Sequence, residues 1–481
     1  MPARIPTLHK SPFVLDPRPL QEMGSAHAGL LTTSRALRSL NLGGLVAANL
    51  TLKSRQRGFS EGQMVESLVL LQTLGGDCPE DISLLSDDTC LTRGLGYQPP
   101  KASAVRTFLN RFHDEELAAL RPAREVQKSF IMPRSSPQQG LDRVLAGMVG
   151  QVATLFKKHG QEQKIATIDQ DATIIESHKK SALSHYEGGR GYQPMVALWS
   201  EADLVVASEF RDGNVPAKQA PLNCARLAFE ALPSGIKQRY FRGDSACHEK
   251  ELIDWLKDPA RAAESGGRIG FCISAVMECA LATAVQAVEE KAWKTYATEA
   301  DGTLRQWAEV PFVPNDQYEQ KDAKPLRYVG LRLLKAQGLL FADGSDRKHY
   351  AVITNLDWEG GRLLSWHREK AGTIEHTHDE IKNALGGGHM PSQKLAVNAA
   401  WFTIALLAYN VASAIKSLCL DPEERSARFK RYRLLLVHIA GRMSRFQCKL
   451  RLRLQASAQT IARIQKIWQI FDLPTQATAF S

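Results

Sequence analysis

The stretch Ile165–Thr173, IATIDQDAT, is an apolar run that ends in two acids, Asp169 and Asp171. Its length and composition suit a strand, and on a strand residues i and i+2 share one face, so both carboxylates leave the same side. Two carboxylates so placed repel each other unless a cation or hydrogen-bond donors compensate, and at least one is expected to be a ligand. Asp169 has a second reading, as a turn or helix-capping acid, which leaves Asp171 alone in a site.

Two further acids lie far away in sequence. Asp244 follows the strand-like RYFRG and precedes a helical stretch, the carboxyl end of a strand where α/β sheets present ligands; it also suits the N-cap of that helix. Glu375 lies in REKAGTIEHTHDEIKN, where a helix is expected to begin, and shares its spacing with His378, Asp379 and Lys382. Three separated carboxylates are what a pair of hard cations requires, with one acid bridging both. Oxygen donors favour Mg²⁺ or Mn²⁺ over zinc, and His376 and His378, i and i+2 on a helix, diverge.

Around these points the hydrophobic period changes. The first 150 residues read as helices, including Gln63–Leu74, stopped by Gly75-Gly76, and Ala102–Phe112, which carries Arg106 and Arg111. That helical array suits either a DNA-binding module or an ordinary small helical domain. Strand-like runs follow at Ile165–Ile168, Val196–Trp199, Leu204–Phe210, Gln238–Phe241 and Gly270–Ser274, with helices between the later ones, which predicts a mixed α/β sheet. The Gly-rich excursion from His178 to Pro194, with Arg190, reads as loop. Short strands (RYVGLRLL, LLFAD, HYAVITNL, GRLLSWH) predict a β-rich insertion at 309–366, and the chain after Glu375 reads as helical. The expected units are a helical DNA-binding region at 1–134, the first part of the catalytic core at 141–308, the insertion, closing helices at 367–418 and a basic helical tail at 419–481.

The net charge is +10, and Asp421–Ser481 holds 12 Lys and Arg against four acids. Such a tail, with Arg431, Arg433, Arg442 and Arg445, meets a polyanion favourably, and nucleic acid is the leading candidate; a solvated basic helix is the plainer reading. The eight cysteines lack CxxC pairing, which points to a reducing compartment and a cytoplasmic location. The N-terminus has no apolar signal region, and Leu395–Ile415, the nearest approach to a membrane span, contains Asn398 and Asn410, so a buried helix is expected.

IDQDAT, GGRGYQP, FRDGN, RGDSACH, REKAGTIEHTHDEIKN and the helix AVNAAWFTIALLAYN together resemble the DDE transposases of bacterial insertion sequences. The resemblance runs from about Gln63 to Lys416 and implies a ribonuclease-H-like mixed sheet interrupted by the insertion, with helical N- and C-terminal regions. It implies Asp171, rather than Asp169, with Asp244 and Glu375 as the catalytic triad and ligands of two Mg²⁺ or Mn²⁺ ions; Asp169 is a further candidate ligand by its place on the strand alone. It also implies cleavage at element ends, strand transfer into target DNA, and a homodimer on double-stranded terminal inverted repeats; the residues themselves offer Lys382, Arg368, Lys370 and Arg190 as DNA contacts, with a solvated helix face as the plainer reading of Glu375 to Lys382. In those relatives Tyr and Arg stand seven and four positions before the Glu; here Arg368 and Ala371 do, with Lys370 one position out of register. A same-fold nuclease without joining activity and a noncatalytic DNA-binding protein are the alternatives.

Overall fold

The computed structural model describes residues 24–473 except 54, 56, 127, 315–324, 337–338 and 448. The expectations for the first 23 residues, for 474–481 and for Cys448 lie outside the described residues. The elements used below are β1 (Gly24–Ser25), α1 (Leu30–Ser39), α2 (Leu42–Asn49), α3 (Glu61–Leu74), α4 (Ala102–Asn110), α5 (Ser136–Lys158), β2 (Ile165–Ala172), β3 (Met195–Trp199), β4 (Leu204–Glu209), α6 (Leu222–Glu230), β5 (Gln238–Gly243), α7 (Lys250–Lys257) and β6 (Ile269–Ser274). They continue with β7 (Lys294–Thr298), β8 (Leu304–Val310), β9 (Arg327–Leu334), β10 (Arg347–Thr354), α8 (Gly360–Asp379), α9 (Leu395–Cys419), β11 (Gly441–Phe446), β12 (Lys449–Leu454) and α10 (Ala458–Ile470).

Nine strands form one open sheet in the order β7-β8-β9-β10-β6-β5-β2-β3-β4. β2, β3 and β4 pair antiparallel, while β5 adds parallel to β2 and β6 adds parallel to β5. That is the mixed core of a ribonuclease-H-like fold, and the antiparallel β7–β10 insertion extends the same sheet beyond β6. Parallel neighbours require a crossover, and α7 lies in the one between β5 and β6.

The helical regions pack onto this core as one body. α3 begins where Ser60 and Gln63 form a reciprocal capping box and ends where Gly75 takes φ of 112°, a conformation that suits glycine. Every residue from Met64 to Leu74 is buried, because α3 is enclosed by α2 and α9. α9 is long and apolar enough to cross a membrane by composition, yet 89% of its apolar window is buried inside the protein. Its two asparagines explain why: Asn410 bonds both the amide (2.8 Å) and the carbonyl (2.7 Å) of Val205 on edge strand β4, and Asn398 bonds Tyr192 Oη at 3.0 Å. A buried amide so satisfied costs little, and it caps a sheet edge.

Four expectations are corrected. GRLLSWH, read as a strand, lies in α8: Gly360, Leu363 and Leu364 are buried while Arg362 and Ser365 are exposed, and the Glu359 carboxylate caps the Arg362 amide at 2.8 Å. LLFAD is a turn with Leu339 and Leu340 exposed, closed by the Phe341 amide on the Ser345 carbonyl at 2.8 Å. The Gly-rich excursion builds a small three-stranded sheet from Ile175–Glu176, Leu183–Ser184 and Arg190–Tyr192. The basic tail is only partly helical, because β11 and β12 form a hairpin in which KLRLRL alternates with period two.

Candidate active site

Register brings Asp171 and Asp244 together. Gln170 on β2 pairs with Gly243 on parallel β5, and each aspartate is the next residue along its strand. Adjacent strands lie about 4.8 Å apart, so the carboxylates emerge side by side at one end of the sheet. Burial raises the pKa of Asp244, the negative charge of Asp171 raises it further, and Lys370 and the amides of Ala246 and Cys247 oppose them. Asp244 also caps the turn Ser245–Cys247, accepting the Ala246 amide at 3.1 Å, as the N-cap reading of its sequence expected.

One step deeper on the same face, Asp169 faces Arg242 in register. Arg242 donates from Nε to Asp169 Oδ1 (2.6 Å) and from Nη2 to Oδ2 (2.9 Å), and Thr373 Oγ1 donates to Oδ2 at 2.5 Å. Both partners are fully buried. Asp169 is therefore a strut whose oxygens are committed to Arg242 and Thr373. Sequence reasoning missed Arg242, although its place two residues before Asp244 puts it on the same face of β5.

α8 lies across this face. Arg242 Nη1 donates to the Trp366 carbonyl (2.5 Å) and pairs with Glu369 (3.1 Å). Lys370, expected to reach DNA, is buried instead, with Nζ 3.3 Å from Asp171 Oδ2. Burial works against its ammonium, but Asp171 and Asp244 outweigh burial and hold the pKa above the ordinary lysine value. Beneath the site His367 bonds the Gly243 carbonyl at 3.1 Å, and burial pushes its pKa down to about 4. His378 is buried with neither ring nitrogen bonded, and burial with the charges of Lys382 and Lys370 pushes it down to about 3.

Glu375 is exposed and makes no ion pair among the described residues. Five residues beyond Lys370, it leaves the helix axis about 140° round from that side chain, on the flank of α8. Beyond α8 a π-helical turn, Glu380–Ala384, widens the helix, and Lys382 Nζ donates to the Ile174 carbonyl just past β2 at 3.3 Å. The structure thus joins the two aspartates, and it places Glu375 on α8 between Thr373 and Lys382, both of which touch β2 or the residues after it.

The other expected DNA contacts divide. Arg368, Arg106, Arg111, Arg431, Arg442 and Arg445 are exposed, Arg368 pairing with Glu299 at 3.3 Å and Arg106 with Glu80. Arg190 is half-buried in the small sheet. Arg433 is an internal brace: it donates to the carbonyls of Thr73 (2.8 Å), Gln72 (3.2 Å) and Ala384, tying the end of α3 to the π-helical turn. Tyr186, which carried no sequence signal, is 77% exposed; slight burial and the charges of Glu187, Asp171 and Asp244 raise its pKa.

A separate group, Asp77, Cys78 and Asp81, brings its ligand atoms within 4.8 Å of one another. Asp81 Oδ2 accepts the amides of Asp77 (3.0 Å) and Cys78 (3.3 Å), and burial raises the Cys78 thiol pKa, so the group reads as the cap of the turn Pro79–Ile82.

The family described as "Transposase DDE domain group 1" matches residues 22–474. The chain belongs to that family. Among solved structures, the piggyBac transposase in its synaptic complex with hairpin DNA, determined by cryo-electron microscopy, is similar at 11% identity and a TM-score of 0.42, covering 94% of this chain and 87% of that one. No curated protein matches. In this transposase-family chain the aspartates that end β2 and β5 stand where the sequence motifs IDQDAT and RGDSACH lead them.

Proposed function

We propose that this chain is a DNA transposase that cuts at the ends of a bacterial insertion sequence and joins the freed ends to target DNA. The observation that carries this reading is the pairing of Asp171 with Asp244 on adjacent parallel strand ends in a chain of the DDE family. The donor set fits hard divalent cations: two oxygen ligands already share a site in which one raises the pKa of the other. Asp171 would hold two Mg²⁺ or Mn²⁺ ions, with Asp244 and Glu375 each completing one shell. When bound, the ions supply Lewis-acid stabilisation of the phosphoryl oxygens and activation of the attacking hydroxyl.

The chain's own residues set the stage. Arg242 and Asp169 lock β5 to β2 and hold the aspartates in register. Lys370 balances their charge, and Lys382, Arg368 and Arg190 present cations around the site. Double-stranded DNA is the partner, bound as two ends on a homodimer, in the cytoplasm where the seven described cysteines stay unpaired.

The test is a cleavage and strand-transfer assay in Mg²⁺ or Mn²⁺ with precleaved ends. Joined product, lost in Asp171→Asn, Asp244→Asn and Glu375→Gln, supports the reading. Hydrolysis without joining identifies a nuclease, and DNA binding unaccompanied by metal-dependent chemistry identifies a noncatalytic binder.

A further inference from the structure

The hairpin β11–β12 carries five cations, Arg442, Arg445, Lys449, Arg451 and Arg453, and no acid. Its register sorts them by face. Arg442 stands opposite Arg453, Ser444 opposite Arg451 and Phe446 opposite Lys449, so these six side chains share one face. On the other face Gly441 stands opposite Leu454 and Met443 opposite Leu452, packed on the core with Met443 buried, while at its outer end Arg445 and Leu450 are exposed. β1 pairs with β11 and steadies the base of the hairpin.

The outward face is charged in a way that folding does not reward. Lys449, Arg451 and Arg453 are exposed and make no ion pair among the described residues. Arg451 lies over the half-exposed ring of Phe446, 4.2 Å from its centroid, which holds the guanidinium up from the sheet. Successive cations along β12 are spaced by two residues, roughly 6.6 Å, on a ribbon two strands wide. A ribbon of that width enters the major groove of duplex DNA with phosphates on either side.

We propose that the β11–β12 hairpin is a DNA-docking ribbon whose outward face, led by Lys449, Arg451 and Arg453, contacts the phosphates of duplex DNA. The proposal rests on the transposase reading for its partner and goes beyond it in assigning the contact to a ribbon face rather than to the basic tail as a whole.

The test is binding of the full chain to duplex DNA by fluorescence anisotropy without metal, across a series of KCl concentrations. Each phosphate contact contributes about 0.9 to the slope of log K against log salt. The triple variant Lys449→Gln/Arg451→Gln/Arg453→Gln should lower the slope by about 2.7, and Arg451→Lys/Arg453→Lys, with Lys449 retained, should keep the wild-type slope. Lys157→Gln/Lys158→Gln, two exposed charges at the C-terminal end of α5, should lower it by less than about 0.5. Equal loss per charge from both sets, or an unchanged slope in a triple variant that keeps the wild-type melting temperature, overturns the ribbon. A wild-type chain that binds no duplex DNA overturns the ribbon and the transposase reading together, whereas a chain that joins ends normally with an unaltered triple-variant slope overturns the ribbon alone.

Discussion

Arg242 grips Asp169 from the neighbouring parallel strand through two hydrogen bonds, 2.6 and 2.9 Å long, with both side chains shut off from solvent. The pair lies directly beneath the two aspartates that end those strands, so its integrity and theirs are separable by experiment.

Removing one partner of a buried ion pair leaves the other uncompensated. Asp169→Ala should lower unfolding stability by about 3–5 kcal/mol in urea titration, while Asp171→Asn, which leaves Asp244 to offset the Lys370 charge, should cost less and abolish cleavage. Equal stability of the two variants would show that Arg242 finds another partner.

Lys370 neutralises Asp171 from a buried position and so competes with any cation there. Lys370→Met is expected to tighten Mn²⁺ binding on the order of tenfold, read by electron paramagnetic resonance titration of free Mn²⁺. Weaker binding in the variant would mean that the lysine organises the ligands instead.

Stability should fall on acidification through the buried histidines. His378 has its pKa depressed to about 3 in the fold, against about 6.5 unfolded, so its contribution is complete above pH 6.5 and declines as pH drops from there toward 3. Between pH 7.5 and 5 that loss is about 2 kcal/mol, and His367, pushed to about 4, adds a loss of the same sign. His378→Leu should remove its share from the difference between urea unfolding free energies at the two pH values; an unchanged difference would refute the assignment.

Glu375 is exposed and bears no structural load. Glu375→Gln should keep the wild-type melting temperature to within about 1 °C, since surface substitutions shift stability little. Cleavage should fall by more than about a hundredfold, beyond what loss of an outer-shell partner costs a metal site. Retained cleavage would remove Glu375 from the proposed triad.

Local pattern carried the strands and helices around the site, because alternation and helical spacing are properties of a few consecutive residues: β2, β5, β6 and α9 all lie where the apolar periods point. Where two local signals compete, pattern misleads. GRLLSWH has strand-forming residues but a helical spacing of its buried ones, and KLRLRL reads as a basic tail until its period of two is paired with β11.

By itself the chain determined which acids were candidates and the order in which strands would deliver them, since those depend on residue type and spacing. Only the tertiary structure gave Asp169 and Asp171 different surroundings. Both share a face of β2, and the difference belongs to an arginine 73 residues away, a threonine 204 residues away and a buried lysine, brought together by strand register and the packing of α8. Long-range pairing sets which carboxylate is held by a buried arginine and which faces Lys370 at the strand end, and no local stretch encodes it.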